Sequence, residues 1–209
     1  MKTVENAKWR YATKKFDATK KINQEDLEKL KDVVQLSASS YGLQLYKVLI
    51  IENKELREKL QPASWGQTQI TEASHLMVFC NYKEVKDQHI DEYLSLKANT
   101  QNLNVDDLKG YGDFMKAKIG EKTIDEQKSW TAKQTYIALG NLLEASAELH
   151  IDTCPMEGFE ADKYDQILNL SEKGLEAAVI CTLGYRSEED GTQHQAKVRK
   201  SKNDLFEII

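Results

Sequence analysis

Two cations stand four residues apart near the start of the chain, Arg10 and Lys14 in Arg10-Tyr11-Ala12-Thr13-Lys14. A second basic cluster, Lys197-Val198-Arg199-Lys200-Ser201-Lys202, lies close to the other end. Arginine offers phosphate oxygens a rigid fork of donors, and lysine offers a mobile point charge. A fold that joined the two ends would therefore make an anion site for one phosphate-bearing ligand. Each cluster alone has a plainer reading as solvated surface charge. Glu157-Gly158, just after Pro155, is either a turn or a place where backbone approaches a planar ligand.

The familiar catalytic patterns are missing. Gly110-Tyr111-Gly112 begins a Gly-x-Gly-x-x-Gly run, but Met115 stands where the third glycine belongs. There is no phosphate-binding P-loop and no Gly-x-Ser-x-Gly elbow. His75, His89, His150 and His194 have no metal-ligand spacing, so no metal is expected, and His75 reads as a structural hydrogen-bonding residue. Cys80, Cys154 and Cys181 are odd in number and widely spaced, which describes reduced buried thiols rather than a disulfide framework.

Composition narrows the class. The 209 residues are 40% hydrophobic and 30% charged, which suits a soluble globular domain with its own core. The net charge of −5 and the scattered basic residues argue against a nucleic-acid footprint. No apolar run is long enough to span a membrane, and the N-terminal residues lack the apolar core of a secretory signal. A cytoplasmic protein is expected.

The elements that must position these residues are readable in outline. A first helix runs from after Thr3 to about Arg10. Asn23 caps a helix with Leu27, Leu30, Val33, Val34 and Leu36 on its apolar face, ending in Ser37-Ala38-Ser39-Ser40. Tyr46 to Ile51 is a strand, Asn53 caps a short helix to about Leu60, and Pro62 to Gly66 is a loop. A helical segment from Thr68 to Ala73 leads into Leu76 to Cys80, an unbroken apolar run that suits a strand covered on both faces. Residues 86–120 read as a polar helical excursion, broken near Asn99 to Asn104. Thr123 and Glu126 form a capping box for a long helix to about Leu149. Its small centre, Ala138-Leu139-Gly140-Asn141, marks it as the most buried helix and a candidate subunit contact. Ile151 to Pro155 and Ala177 to Gly184 are strands, with a small helix from Ala161 to Leu168 between them. The apolar tail Leu205 to Ile209 must be covered, and a sheet edge is the natural place. The expected class is α+β: one domain over residues 1–209, with helices around a central mixed sheet of four to five strands.

In order and spacing, several segments together resemble the nitroreductase family of FMN-dependent NAD(P)H oxidoreductases, above all its oxygen-insensitive nitroreductase and dihydropteridine reductase branch. They are Arg10 to Asp17, Ser37 to Ser40 with Gln44, Glu72 to His75, Trp130 to Gln134, Pro155 to Phe159, and Lys200 to Lys202. The resemblance implies a homodimer with FMN at the interface and the C-terminal tail exchanged into the partner's sheet. It implies a cofactor set of Arg10, Tyr11, Ala12, Thr13, Lys14, Ser39, Ser40, Gln44, Gln69, Pro155, Met156, Glu157, Gly158, Lys200 and Lys202. Within that set, Arg10, Lys200 and Lys202 would hold the phosphate, and Lys14 would reach the pyrimidine edge of the flavin. Ser39 and Ser40 would come from the partner, and Pro155 to Gly158 would lie along the ring. Lys14, Tyr111 and Phe114 would border the nicotinamide or acceptor pocket.

Tyr11-Ala12, Gly66 and Gly42 to Tyr46 depart from the family's pattern. The implied activity is ping-pong reduction of nitroaromatics, quinones or related acceptors by NADH or NADPH. A flavin-fold protein of other chemistry and a non-enzymatic phospholigand module are the alternatives.

Overall fold

The computed structural model describes all 209 residues. In chain order the helices are α1 (Lys2–Trp9), α2 (Gln24–Gln35), α3 (Lys54–Leu60), α4 (Gln69–Glu72), α5 (Asp87–Gln101), α6 (Lys109–Gly120), α7 (Ile124–Glu148), α8 (Ala161–Leu168) and α9 (Lys202–Leu205). The strands are β1 (Tyr46–Ile51), β2 (His75–Tyr82), β3 (Asp152–Met156) and β4 (Leu175–Gly184). They form one sheet in the order β1-β2-β4-β3. All three pairings are antiparallel, where a mixed sheet was expected. The only parallel element is an isolated bridge between Ala12 and Thr153.

The apolar run in β2 is covered on both faces, as expected of an uninterrupted strand. Strand side chains alternate, so Leu76, Val78 and Cys80 enter one core while Met77 and Phe79 enter the other. The first core is closed by Leu60, Ile70 and Tyr164 from α3, α4 and α8. The second is closed by Leu27, Leu30 and Val34 of α2 and by Ala138, Leu139 and Leu142 of α7. Leu142 is fully buried, so truncating it to alanine costs about 2–5 kcal/mol.

The caps form where they were read. Asn23 Oδ1 accepts the Asp26 N–H at 2.8 Å, and Asn53 Oδ1 accepts the Leu56 N–H at 2.8 Å. At α7, Thr123 Oγ1 accepts the Glu126 N–H at 3.3 Å, and the Glu126 carboxylate accepts the Thr123 N–H at 2.8 Å.

The excursion at residues 86–120 is a helical hairpin, broken between Gln101 and Lys109. It is less polar than its composition implied. Its few apolar residues converge, so Ile90, Leu94, Met115 and Ile119 form a third core with Leu43 and Leu45. Gly112, part of the incomplete glycine motif, lies inside α6. Its role is close packing, since a Cβ there would meet Leu94 Cδ1 at 2.5 Å.

Candidate active site

The stretch after α1 runs beside the outer edge of β3. Ala12 bridges Thr153, and the Thr13 N–H donates to the Thr153 carbonyl at 3.1 Å. Phe16 bridges Arg186, just beyond β4, and its N–H donates to Glu72 at 3.4 Å. The segment is thus held along its length by β3 and by the chain that follows β4.

This placement gives the five residues different tasks. Thr13 is fully buried. Tyr11 turns inward: its hydroxyl donates to Asp190 Oδ2 at 3.0 Å, and its ring lies 4.6 Å from the Arg186 guanidinium. Burial and the Asp190 contact push the Tyr11 phenol well above its ordinary range. Its side chain is committed to the fold, which leaves the backbone at Tyr11 and Ala12 for any ligand.

Arg10 and Lys14 remain. Neither forms an ion pair, whereas adjacent Lys15 is paired with Glu189. Arg10 Nε is buried without a hydrogen-bond partner. Burial pushes the Cys154 thiol up, while Lys14, a hydrogen bond with Gln69, and Arg10 pull it back. The Ala12–Thr153 bridge sets the segment carrying Arg10 and Lys14 beside Cys154 in the middle of β3.

Beyond Cys154 the chain runs through Pro155 and buried Met156 to Glu157 and Gly158. A loop folds over that segment. Gln67 Nε2 donates to the Gly158 carbonyl at 2.8 Å, and the Glu160 N–H donates to Ala63 O at 2.8 Å. Trp65 sits at a φ of 55°, in the left-handed region that side chains rarely adopt. Its indole lies against Gly158 yet stays 70% exposed.

The remaining expected residues lie apart. Ser39, Ser40 and Gln44 form a tight loop before β1, with left-handed backbone at Tyr41, Gly42 and Gln44. The loop is held by Gln134 of α7, which accepts the Ser40 N–H at 2.9 Å, and by Ser39 Oγ, which accepts the Gln44 N–H at 3.0 Å. None of their hydrogen bonds reaches Arg10 or Lys14. Tyr111 and Phe114 are exposed on α6, with Lys97 Nζ 5.2 Å from the Tyr111 ring. Of the C-terminal cluster, Lys197 is the residue that meets the N-terminal one: its ammonium donates to the Arg10 carbonyl. Lys200 and Lys202 are exposed, and neither side chain forms a hydrogen bond or ion pair with Arg10 or Lys14.

Several residues escaped the sequence reading. Asp190 accepts the Lys14 N–H at 2.8 Å and the Lys15 N–H at 3.2 Å. Buried Asp152 accepts the Arg186 backbone N–H and Nε, each at 2.8 Å. Trp65 lies in the segment read only as a loop, and Gln67 follows it with no signal of its own. Asp190-Gly191 carries a local turn signal, but nothing local tells which distant amides it accepts. The thiols are free and buried, as expected, and no group of His, Cys, Asp or Glu residues is arranged to hold a metal. His75 is a buried residue hydrogen-bonded to Ser74 Oγ at 2.9 Å. No helix is long and apolar enough to cross a membrane.

Residues 7–185 match the model of the Nitroreductase family. The chain belongs to the nitroreductase family. These enzymes are flavin oxidoreductases. Two relatives, each named "Putative NAD(P)H nitroreductase", are close in length. That of Staphylococcus saprophyticus is 35% identical over 210 residues, covering 96% of this chain and 94% of its own. That of Bacillus subtilis is 34% identical over 199 residues, covering 85% and 86%. Among solved structures, a "putative nitroreductase in complex with FMN" from Exiguobacterium sibiricum superposes with a TM-score of 0.84 at 18% identity, covering 99% of this chain and 97% of its own. That likeness speaks to the fold.

Proposed function

We propose that this nitroreductase is an FMN-dependent NAD(P)H oxidoreductase that reduces nitroaromatics, quinones or related electron-poor acceptors. The observation that carries the reading is the pair of cations without ion-pair partners, Arg10 and Lys14, on the segment that the Ala12–Thr153 bridge holds beside β3. An orphaned, buried Arg10 Nε is the donor a phosphate would satisfy. The residues therefore fit FMN, and when bound it supplies the hydride chemistry, taken from NAD(P)H and passed to the acceptor in a ping-pong cycle.

The chain's own residues bind and orient. Arg10 anchors the phosphate, with Lys200 and Lys202 brought in by the tail. Lys14 stands at the pyrimidine edge, where a cation stabilises the charge that grows on reduction. Gln69 contacts the ribityl chain or ring. Pro155, Met156, Glu157 and Gly158 line the ring. Lys14, Tyr111 and Phe114 border the nicotinamide or acceptor. No side chain is required as nucleophile, which agrees with the absence of catalytic motifs.

A homodimer completes this reading. Ser39, Ser40 and Gln44 would serve the partner's site, since they stand apart from their own chain's cations. Tyr136 and Ile137 are exposed on α7, and a Cβ at Gly140 would meet nothing within 4 Å, so that face is open for close approach. The tail is exposed too, with Phe206 at 67% and Ile208 at 100%. Exchange into a partner's sheet would cover it. Ala12 takes the outer edge of β3, which leaves the β1 edge, flanked by Val34, Val48, Ile50 and Met77, as its place.

Purified protein tests the proposal directly. A yellow protein whose flavin absorbance bleaches on mixing with NADH or NADPH, and recovers with menadione or nitrofurazone, is the expected result. A colourless monomer that takes up no added FMN would sink it.

A further inference from the structure

Asp190 has no part in the proposed function, yet its carboxylate is a junction of the site. It is 3% exposed and pairs with no cation. Oδ2 accepts the N–H of Lys14 at 2.8 Å, the N–H of Lys15 at 3.2 Å and the Tyr11 hydroxyl at 3.0 Å, while Oδ1 accepts the Thr192 N–H at 3.0 Å. Burial alone would push its carboxyl up, but the bonds from Lys14, Lys15, Thr192 and Tyr11 outweigh it and hold the group below the usual carboxylate range. At neutral pH Asp190 is a buried anion that is satisfied by neutral donors.

The neighbouring residue sharpens the arrangement. Glu189 holds the Lys15 ammonium, and Asp190 holds the Lys14 backbone. Residues 189 and 190 thus sort two consecutive lysines, neutralising one and leaving the charge of the other free. Carboxylate bonds to backbone N–H groups are among the stronger hydrogen bonds of a fold, and the 2.8 Å bond to the Lys14 N–H, backed by the longer one to Lys15, holds the Lys14 backbone in place.

We propose that Asp190 is the positioning residue for Lys14: by fixing its backbone it sets where the Lys14 ammonium acts, and so tunes the reduction potential of FMN without touching it. This rests on the FMN reading above and on Lys14 standing at the ring. Loss of a nearby negative charge would by itself favour the reduced, anionic flavin and raise the potential. Loss of positioning weakens the Lys14 interaction and lowers it. The two effects have opposite sign, so the potential separates them.

The experiment measures FMN midpoint potential and dissociation constant in the wild type, Asp190→Asn, Lys14→Met and the double variant. In Asp190→Asn, binding of reduced relative to oxidised FMN is expected to fall about tenfold, a drop of roughly 30 mV for a two-electron couple. That drop is expected to vanish in the Lys14→Met background, because the two residues act as a unit. A potential that rises in Asp190→Asn, or falls equally in both backgrounds, overturns the proposal. Should Asp190→Asn not fold, Tyr11→Phe removes one donor from the same oxygen and is expected to give a smaller fall, also lost without Lys14. Wild-type protein that holds no FMN would defeat the cofactor reading itself. FMN-loaded protein whose potential ignores Lys14→Met would defeat Lys14's place at the ring, and the Asp190 proposal with it.

Discussion

The Trp65 indole lies so close to Gly158 that a Cβ on the glycine would stand 2.9 Å from its ring. No real Cβ sits that close, so Gly158→Ala must push the indole away. Trp65 is largely exposed and free to move, so the stability cost falls at the low end of overpacking, about 1 kcal/mol. The expected result is altered tryptophan emission and several-fold weaker FMN binding in a folded protein. Unchanged emission and affinity would show that this contact does not shape the site.

Arg10 makes the cleanest test of the phosphate assignment, because its guanidinium has no ion pair to lose. Arg10→Ala is expected to leave the melting temperature nearly unchanged. It should weaken FMN binding by roughly 10- to 100-fold, the worth of a charge-assisted hydrogen bond of about 1.5–3 kcal/mol. A fluorescence titration that returns the wild-type affinity would refute the assignment.

Asp152 and Arg186 hold the segment from outside. Asp152 is 4% exposed, and Arg186 also packs 4.4 Å from the Trp9 ring. Arg186→Met keeps much of the packing but strands a buried carboxylate. Such losses cost about 3–5 kcal/mol, and the lower figure is expected because the Arg186 side chain retains 22% exposure. Chemical denaturation measures it, and a cost below about 1 kcal/mol would reduce the pair to an ordinary surface contact.

Tyr136 donates to Glu157 at 2.6 Å. Its ring is partly exposed, but its phenol is pushed up to about 12, first by desolvation of the hydroxyl, then by the hydrogen bond to Glu157 and by that carboxylate's charge. A raised phenol stabilises the fold below its unfolded value near 10, and that contribution is lost as pH rises towards 12. Glu157→Gln is expected to bring the phenol down but not fully to the ordinary value, because burial remains. Ultraviolet absorbance titration follows it; a titration unmoved by the substitution would mean that burial alone sets the value.

In the proposed homodimer the exchanged tail would carry the assembly. Removal of Leu205 to Ile209 takes away apolar side chains that their own chain leaves in water. Light scattering is expected to show a dimer for the full chain and a shift towards monomer for the shortened one. Equal masses for the two would place the tail outside the interface.

Local chemistry made much of the fold legible. Asn23, Asn53 and Thr123 cap helices because their side chains satisfy amides only a few residues away. The unbroken run in β2 announced a strand buried on both faces, since burial of two faces demands apolar residues at every position. Arg10 and Lys14 were visible as cations, and their order among the other segments pointed to the family. The tertiary structure decided what those cations meet. Lys14 is held by a residue 176 positions away, and the Arg10 carbonyl is met by Lys197, 187 positions away, rather than by Lys200 or Lys202. Local pattern reports what lies within a turn or a strand of a residue. Which lysine is left without an ion-pair partner, and where Tyr11 points, depends on distant groups that only the closed fold brings within hydrogen-bonding distance.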